Sequence, residues 1–371
     1  MFCKAPFAGV TIDPSGLITL CCNTNDRKYF AANINDVKSL KDVFFGKKFE
    51  ELRNIMASEG FGRIPQCEVC INAVKGKYRA EYQNYNDRIG DIRPLKFRYL
   101  ELTTSNICNQ TCVTCGSYFS SKWLKLEQKM GLGIGGHNPP FILSKDSVHK
   151  IIEILPDLEV LQIKGGEPTA DKNNLKILRR LAEINPNCHV IIISNFQEIS
   201  NEWWDVLSSL KNLEMSSSLD GIGKTYDWVR GGDFNKTYEN MLKFKEIHPS
   251  DLRINPCVSL YNLFHLHELN EKIQKDFTHI HFGNVVISPK HLSPHLLQTK
   301  LLTILETHYG INYRNKYFIT PGLLNMPETF LSENISIEEL YKKFDYHTKA
   351  MNKARGFDIF DLQPQLRDIF K

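Results

Sequence analysis

The 371 residues, 42% hydrophobic and 24% charged, allow one large globular domain with one or two small ones. A net charge of +4, with no basic stripe interleaved with aromatics, argues against nucleic acid and against a charged membrane surface as partners. No segment approaches the roughly 18 uninterrupted apolar residues of a membrane span, and Met1–Pro6 lacks the basic-then-apolar order of a secretory signal, so the expected location is the cytoplasm.

In a reducing compartment ten cysteines point to metal ligands more than to disulfides. Cys3, Cys21, Cys22, Cys67 and Cys70 fall in the first fifth of the chain, and Cys108, Cys112 and Cys115 form a second group. Cys188 and Cys257 stand alone beside apolar runs and read as buried small hydrophobes.

The first 90 residues read as a small irregular, cysteine-rich domain. Val10–Ile12 and Leu17–Leu20 flank the turn formers Asp13-Pro14-Ser15-Gly16, which predicts a β-hairpin ending at Cys21-Cys22. Helical periodicity runs from Ser39 to Met56, and Cys67-Glu68-Val69-Cys70 closes the unit. The polar stretch Lys75–Arg93 reads as a connecting helix and linker.

From residue 91 to about 290, strands alternate with helices. Strands are expected at Phe97–Thr103, Val160–Lys164, Val190–Ser194, Leu213–Leu219, Arg253–Leu260 and His279–Ile287, with helices such as Leu175–Ile184 and Trp203–Leu210 between them. This pattern predicts an α/β fold, a partial (β/α)6 TIM-like barrel with its chemistry at the carboxyl ends of the strands. Residues 291–371 form a mainly helical carboxyl-terminal extension without a chemical motif.

Two motifs carry chemistry. Cys108-Asn109-Gln110-Thr111-Cys112-Val113-Thr114-Cys115 follows the first barrel strand, and three thiolates on one loop can hold three irons of a cubane and leave the fourth open. A zinc knuckle is the competing reading, but it wants a fourth ligand that the loop lacks. Lys164-Gly165-Gly166-Glu167-Pro168 ends the second strand; its glycines allow a ligand close to the backbone, and Glu167 offers a carboxylate to an ammonium.

In this order the motifs resemble the radical S-adenosylmethionine (SAM) superfamily, over roughly Leu95 to Ile287. The resemblance implies a [4Fe–4S] cluster on Cys108, Cys112 and Cys115 that binds SAM, reductive cleavage to a 5′-deoxyadenosyl radical, and hydrogen abstraction from a substrate. Gly165, Gly166 and Glu167 would contact the SAM amino group, and Ser194, Asn195 and Ser218 its ribose or carboxylate. Arg230 would pair with the carboxylate, and Val258–Asn262 would line the adenine. Asp220, the catalytic candidate, and Tyr226 would be acid–base or radical-relay groups near the barrel mouth, with a structural role or a SAM contact as the favoured alternative for each. The residue before the third cysteine, often aromatic in the superfamily, is Thr114 here, and Tyr118 or Phe119 could replace it.

The amino-terminal cysteines resemble a twitch or SPASM-like module, which follows the barrel in most relatives and precedes it here. The module implies a second, auxiliary [4Fe–4S] cluster on Cys3, Cys67, Cys70 and Cys22, with Cys21 as the alternative to Cys22 and zinc as the alternative metal. The implied partners are a peptide or small-molecule substrate and an electron donor such as flavodoxin or ferredoxin. A non-catalytic, metal-stapled binding protein is the competing class.

Overall fold

The computed structural model describes residues 1–22, 30–75, 81–130, 141–248, 252–259, 261–277, 281–282, 286–287 and 337–367. Short β-branched runs become the strands of one sheet: β1 (Gly9–Ile12), β2 (Leu17–Thr19), β3 (Ala32–Asn33), β4 (Tyr99–Thr103), β5 (Val160–Lys164), β6 (His189–Ser194), β7 (Leu213–Ser217), β8 (Leu252–Ile254) and β10 (His281–Phe282). A second pair joins β9 (Cys257–Val258) to β11 (Val286–Ile287). The sheet order is β10-β8-β7-β6-β5-β4-β1-β2-β3.

From β4 through β8 to β10 all neighbours are parallel, and helices such as Lys172–Ile184 and Asn201–Ser209 connect them. These six strands are the expected partial (β/α)6 barrel. Every residue of β4 is buried, as a parallel strand covered on both faces requires. Period-2 alternation puts Leu100 and Leu102 on one face and Tyr99, Glu101 and Thr103 on the other, where Tyr99 Oη donates to Gln162 Oε1 of β5 (3.3 Å) and Glu101 is ion-paired with Lys164.

The structure differs from expectation in three places. The hairpin does not stand apart: β1 pairs in parallel with β4, from Gly9↔Tyr99 to Ile12↔Leu102, so the sheet is continuous across residue 90. The connecting helix is found as expected, at Glu81–Arg88, and it packs on the polar side of the barrel strands. Its Tyr85 donates to Glu101 (2.6 Å) and its Arg88 to Gln162 (2.7 Å). The strand expected over Arg253–Leu260 breaks into β8 and β9 at Asn255-Pro256, since proline cannot donate to a ladder. The helix expected from Ser39 likewise divides at Gly46 into Leu40–Phe44 and Lys47–Ser58. No helix among the described residues is long and apolar enough to cross a membrane.

Candidate functional site

The carboxyl ends of β4, β5, β6 and β7 converge on one cavity of about 310 Å³. The loop after β4 brings Cys108, Cys112 and Cys115 to its wall, and the turn after β5 brings Gly165, Gly166 and Glu167. Ser194 and Asn195 end β6, Ser218 follows β7, and Arg230 closes the next helix; all four also line it. Positions spread over 123 residues of sequence thus meet, as strand-end chemistry predicts.

Close packing explains the glycine pair. Gly165 has φ 140°, and a Cβ at Gly166 would lie 2.1 Å from the Ile107 carbonyl oxygen, just before the first cysteine of the loop. The loop itself is braced at several points. Asn109 Oδ1 accepts from Asn195 Nδ2 (2.8 Å), and the Trp123 indole donates to the Cys112 carbonyl (2.7 Å). Gln110, fully buried, donates to Tyr226 (3.0 Å) and Gln197 (3.2 Å) and accepts from Arg230 Nε (3.3 Å). Nothing in the sequence distinguished Gln110 from a solvated loop residue.

Burial pushes the Cys108 thiol up to about 11 and the Cys112 thiol higher still. Such thiols become thiolates only against a cation, so the donor set fits a metal cluster whose loading releases protons. Among the described residues no three His, Cys, Asp or Glu side chains converge closely enough to hold a single ion; the cysteines surround a space rather than a point.

Glu167 lines the cavity, but its carboxylate is engaged by the protein. Oε1 accepts from Thr169 N (3.1 Å), Thr169 Oγ1 (2.8 Å) and Ser194 Oγ (2.8 Å), and Oε2 from Asn195 N (2.7 Å). It ties the glycine turn to the end of β6. Burial raises its pKa, with the backbone donations of Asn195 and Thr169 opposing. Glu167→Ala leaves these buried donors unpaired, at about 1–3 kcal/mol each where relaxation cannot repair them. Thermal denaturation is expected to show a clear loss, largely restored in Glu167→Gln for the acceptor half.

Asp220, weighed as an acid–base group, a SAM contact or a structural residue, does not line the cavity. It is fully buried: Oδ2 pairs with Arg230 Nη1 (2.9 Å) and Oδ1 accepts from Cys257 N (2.6 Å). It holds Arg230, in keeping with the structural role weighed for it. The Val258–Asn262 segment also departs from expectation. Ser259, Tyr261 and Asn262 are fully buried away from the cavity lining, Tyr261 against Thr348 (2.9 Å), and Leu260 lies outside the described residues. Of the two aromatics weighed in place of Thr114, Phe119 lines the cavity, whereas Tyr118 donates to Asp13 of the hairpin turn (2.8 Å).

A second, smaller pocket is lined by Cys3, Cys21, Cys67 and Cys70 with Tyr85. Cys22 is elsewhere, its sulfur 4.0 Å from the Tyr85 hydroxyl and near Glu101. The strand ends at Thr19, whose hydroxyl holds the Cys21 carbonyl (3.2 Å), so the chain turns inward one residue earlier than expected. Burial and the Glu101 carboxylate both push the Cys22 thiol up, whereas Cys3 and Cys67, each pushed up to about 12 mainly by burial, face other cysteines. Cys188 is buried, as expected of a small hydrophobe.

A model of the radical SAM superfamily matches residues 102–274, and a model described as an iron–sulfur cluster-binding domain, of SPASM type, matches residues 3–71. Residues 102–274 form a radical SAM domain. With the family come SAM and its [4Fe–4S] cluster, and with the amino-terminal domain an auxiliary cluster. No curated protein matches the chain. Among solved structures, native anSMEcpe with bound AdoMet is 18% identical at a TM-score of 0.41, covering 56% of this chain and 59% of that one. Streptococcus suis SuiB bound to precursor peptide SuiA is 14% identical at a TM-score of 0.40, covering 84% and 71%. This radical SAM protein therefore spans about 59% of the length of the first of them.

Proposed function

We propose that Cys108, Cys112 and Cys115 hold the SAM-binding cluster, and that the protein cleaves SAM reductively and abstracts hydrogen from a peptide or protein side chain. The observation that carries this reading is the shared cavity: the three cysteines, the glycine turn and the Arg230 guanidinium line one space. When bound, the cluster and SAM supply a 5′-deoxyadenosyl radical. The residues of the chain bind and orient. Backbone atoms of Gly165 and Gly166 receive the SAM ammonium, Ser194, Asn195 and Ser218 the ribose, and Arg230 the carboxylate. Arg230 meets Gln110 through Nε and Asp220 through Nη1, and its Nη2 edge is the one offered to a ligand. Phe119, 46% exposed, forms the lip of the cavity, where a side chain of a large substrate can enter while the rest stays outside. The electron comes from a small reduced protein such as flavodoxin or ferredoxin in a reducing cytoplasm.

Two measurements test this. Anaerobic incubation with candidate peptides is expected to give 5′-deoxyadenosine in proportion to modified peptide. Product from small-molecule precursors alone would shift the substrate class. Arg230→Lys keeps a charge beside Asp220 and loses the fork, and is expected to weaken SAM binding roughly ten- to hundredfold with iron content unchanged. An unchanged SAM titration would remove Arg230 from carboxylate binding.

A further inference from the structure

The carboxyl-terminal helix Ile337–Arg355 returns to the cysteine loop from outside the barrel. Its last residue, Arg355, spends all three edges of its guanidinium there. Nη2 donates to the Thr111 carbonyl (2.6 Å), Nη1 to Thr111 Oγ1 (2.8 Å) and Nε to the Trp228 carbonyl (2.8 Å). The contact is tight: a Cβ on Gly231 would lie 2.7 Å from Thr111 Oγ1 and 2.8 Å from the Arg355 guanidinium. Two further contacts seat the same helix. The Trp228 indole donates to Asn352 (2.9 Å), and His347 stacks on Trp123, whose indole holds the Cys112 carbonyl.

All three acceptors are neutral, and no carboxylate among the described residues pairs with Arg355. Arg355 is half-buried, and a guanidinium partly withdrawn from water without a counter-charge carries a cost. Burial lowers its pKa to about 10, with the Cys112 sulfur pulling the other way, and at neutral pH it stays charged. Thr111, which Arg355 holds, directly precedes Cys112, a residue that would hold the cluster. A cubane on three thiolates carries net negative charge and gains one more unit on reduction, and net charge and hydrogen bonding set the potential of such clusters.

Resting on the assignment of Cys112 to the SAM-binding cluster, we propose that Arg355 is a positioning residue for that cluster. Its fork fixes the backbone between Cys108 and Cys112, and its half-buried charge favours the reduced state. The carboxyl-terminal helix is thus part of the electron-accepting site rather than an appendage to it. Outer partners of metal ligands of this kind typically matter ten- to hundredfold.

The test compares Arg355→Gln, Arg355→Lys and Lys353→Gln in the full chain. Lys353 is exposed on the same helix, so its variant removes an equal charge without touching the loop. Midpoint potentials are read by redox titration of the paramagnetic signal that shifts when SAM is added. Arg355→Gln is expected to move the potential to more negative values and to slow SAM cleavage at a fixed potential at least about tenfold. Arg355→Lys keeps the potential near wild type and loads the SAM-binding cluster several-fold less well, with the auxiliary signal intact, and Lys353→Gln matches wild type. Wild-type potential and wild-type loading in both Arg355 variants would overturn the proposal. If Arg355→Gln does not fold, Arg355→Lys decides, and full loading there overturns it. Cys112→Ala run alongside separates the two levels: a SAM-responsive cluster surviving in that variant refutes the ligand assignment instead.

Discussion

Replacing Cys108, Cys112 or Cys115 singly by alanine is expected to abolish 5′-deoxyadenosine formation from SAM and dithionite. The iron and sulfide of one cubane should be lost with it. Among the described residues no fourth cysteine lines the cavity. Cys257, whose thiol meets Thr114 of the loop, does not line the cavity, and its backbone is tied to Asp220 at 2.6 Å. A shift of the loop to recruit it would also have to break the braces at Asn109, Gln110 and Thr111. The buried thiols sharpen the effect: with Cys108 at about 11, thiolate forms at neutral pH only as the metal arrives. Reconstitution should therefore proceed faster as pH rises toward the thiol range and stall as it falls. Iron analysis with quantification of 5′-deoxyadenosine checks both points. Undiminished cleavage in any of the three variants would sink the assignment.

How much of this could be read in the sequence follows from the range of the interactions. The cysteine loop and the glycine turn are local signals that sit just after strands with long apolar runs, so their position at the strand ends is legible. The polar brace around them was not, because it is made across the fold. Gln110 reaches Gln197 and Tyr226, and Arg355 reaches Thr111 over 244 positions. A carboxylate in the run Leu219-Asp220-Gly221 resembles a catalytic group until it is seen to be spent on Arg230 and Cys257. Glu167 likewise has the chemistry of an ammonium ligand, but four donors from Thr169, Ser194 and Asn195 occupy it first. The parallel pairing of β1 with β4 bridges about 90 residues and leaves no periodic trace, so the hairpin read as a separate unit.

The amino-terminal pocket gives the second large effect. A variant lacking Cys108, Cys112 and Cys115 together is expected to remain brown, with the absorbance and iron content of one cubane. Adding Cys21→Ala to that background should bleach it, whereas adding Cys22→Ala should not. The distinction rests on placement. Cys21 shares the pocket wall with Cys3, Cys67 and Cys70, whereas Cys22 sits by the Tyr85 hydroxyl, where the Glu101 carboxylate opposes a thiolate. Cys67 and Cys70 stand at the start of the helix Glu68–Lys75, one turn apart, a spacing that turns both sulfurs to one side. A unit this small needs a metal to stay folded, and here its hairpin is also an outer part of the barrel sheet. Loss of the site should therefore lower the thermal midpoint of the whole chain, and not only erase a spectroscopic signal. Tyr85 connects the two sites physically: it lines the cysteine pocket, donates to Glu101, and Glu101 is paired with Lys164 on the wall of the SAM cavity. Stoichiometric zinc with no residual iron in the triple variant would keep the structural role of these cysteines and remove any part in electron transfer. A colour that survives Cys21→Ala and disappears with Cys22→Ala would reverse the choice between the two neighbours.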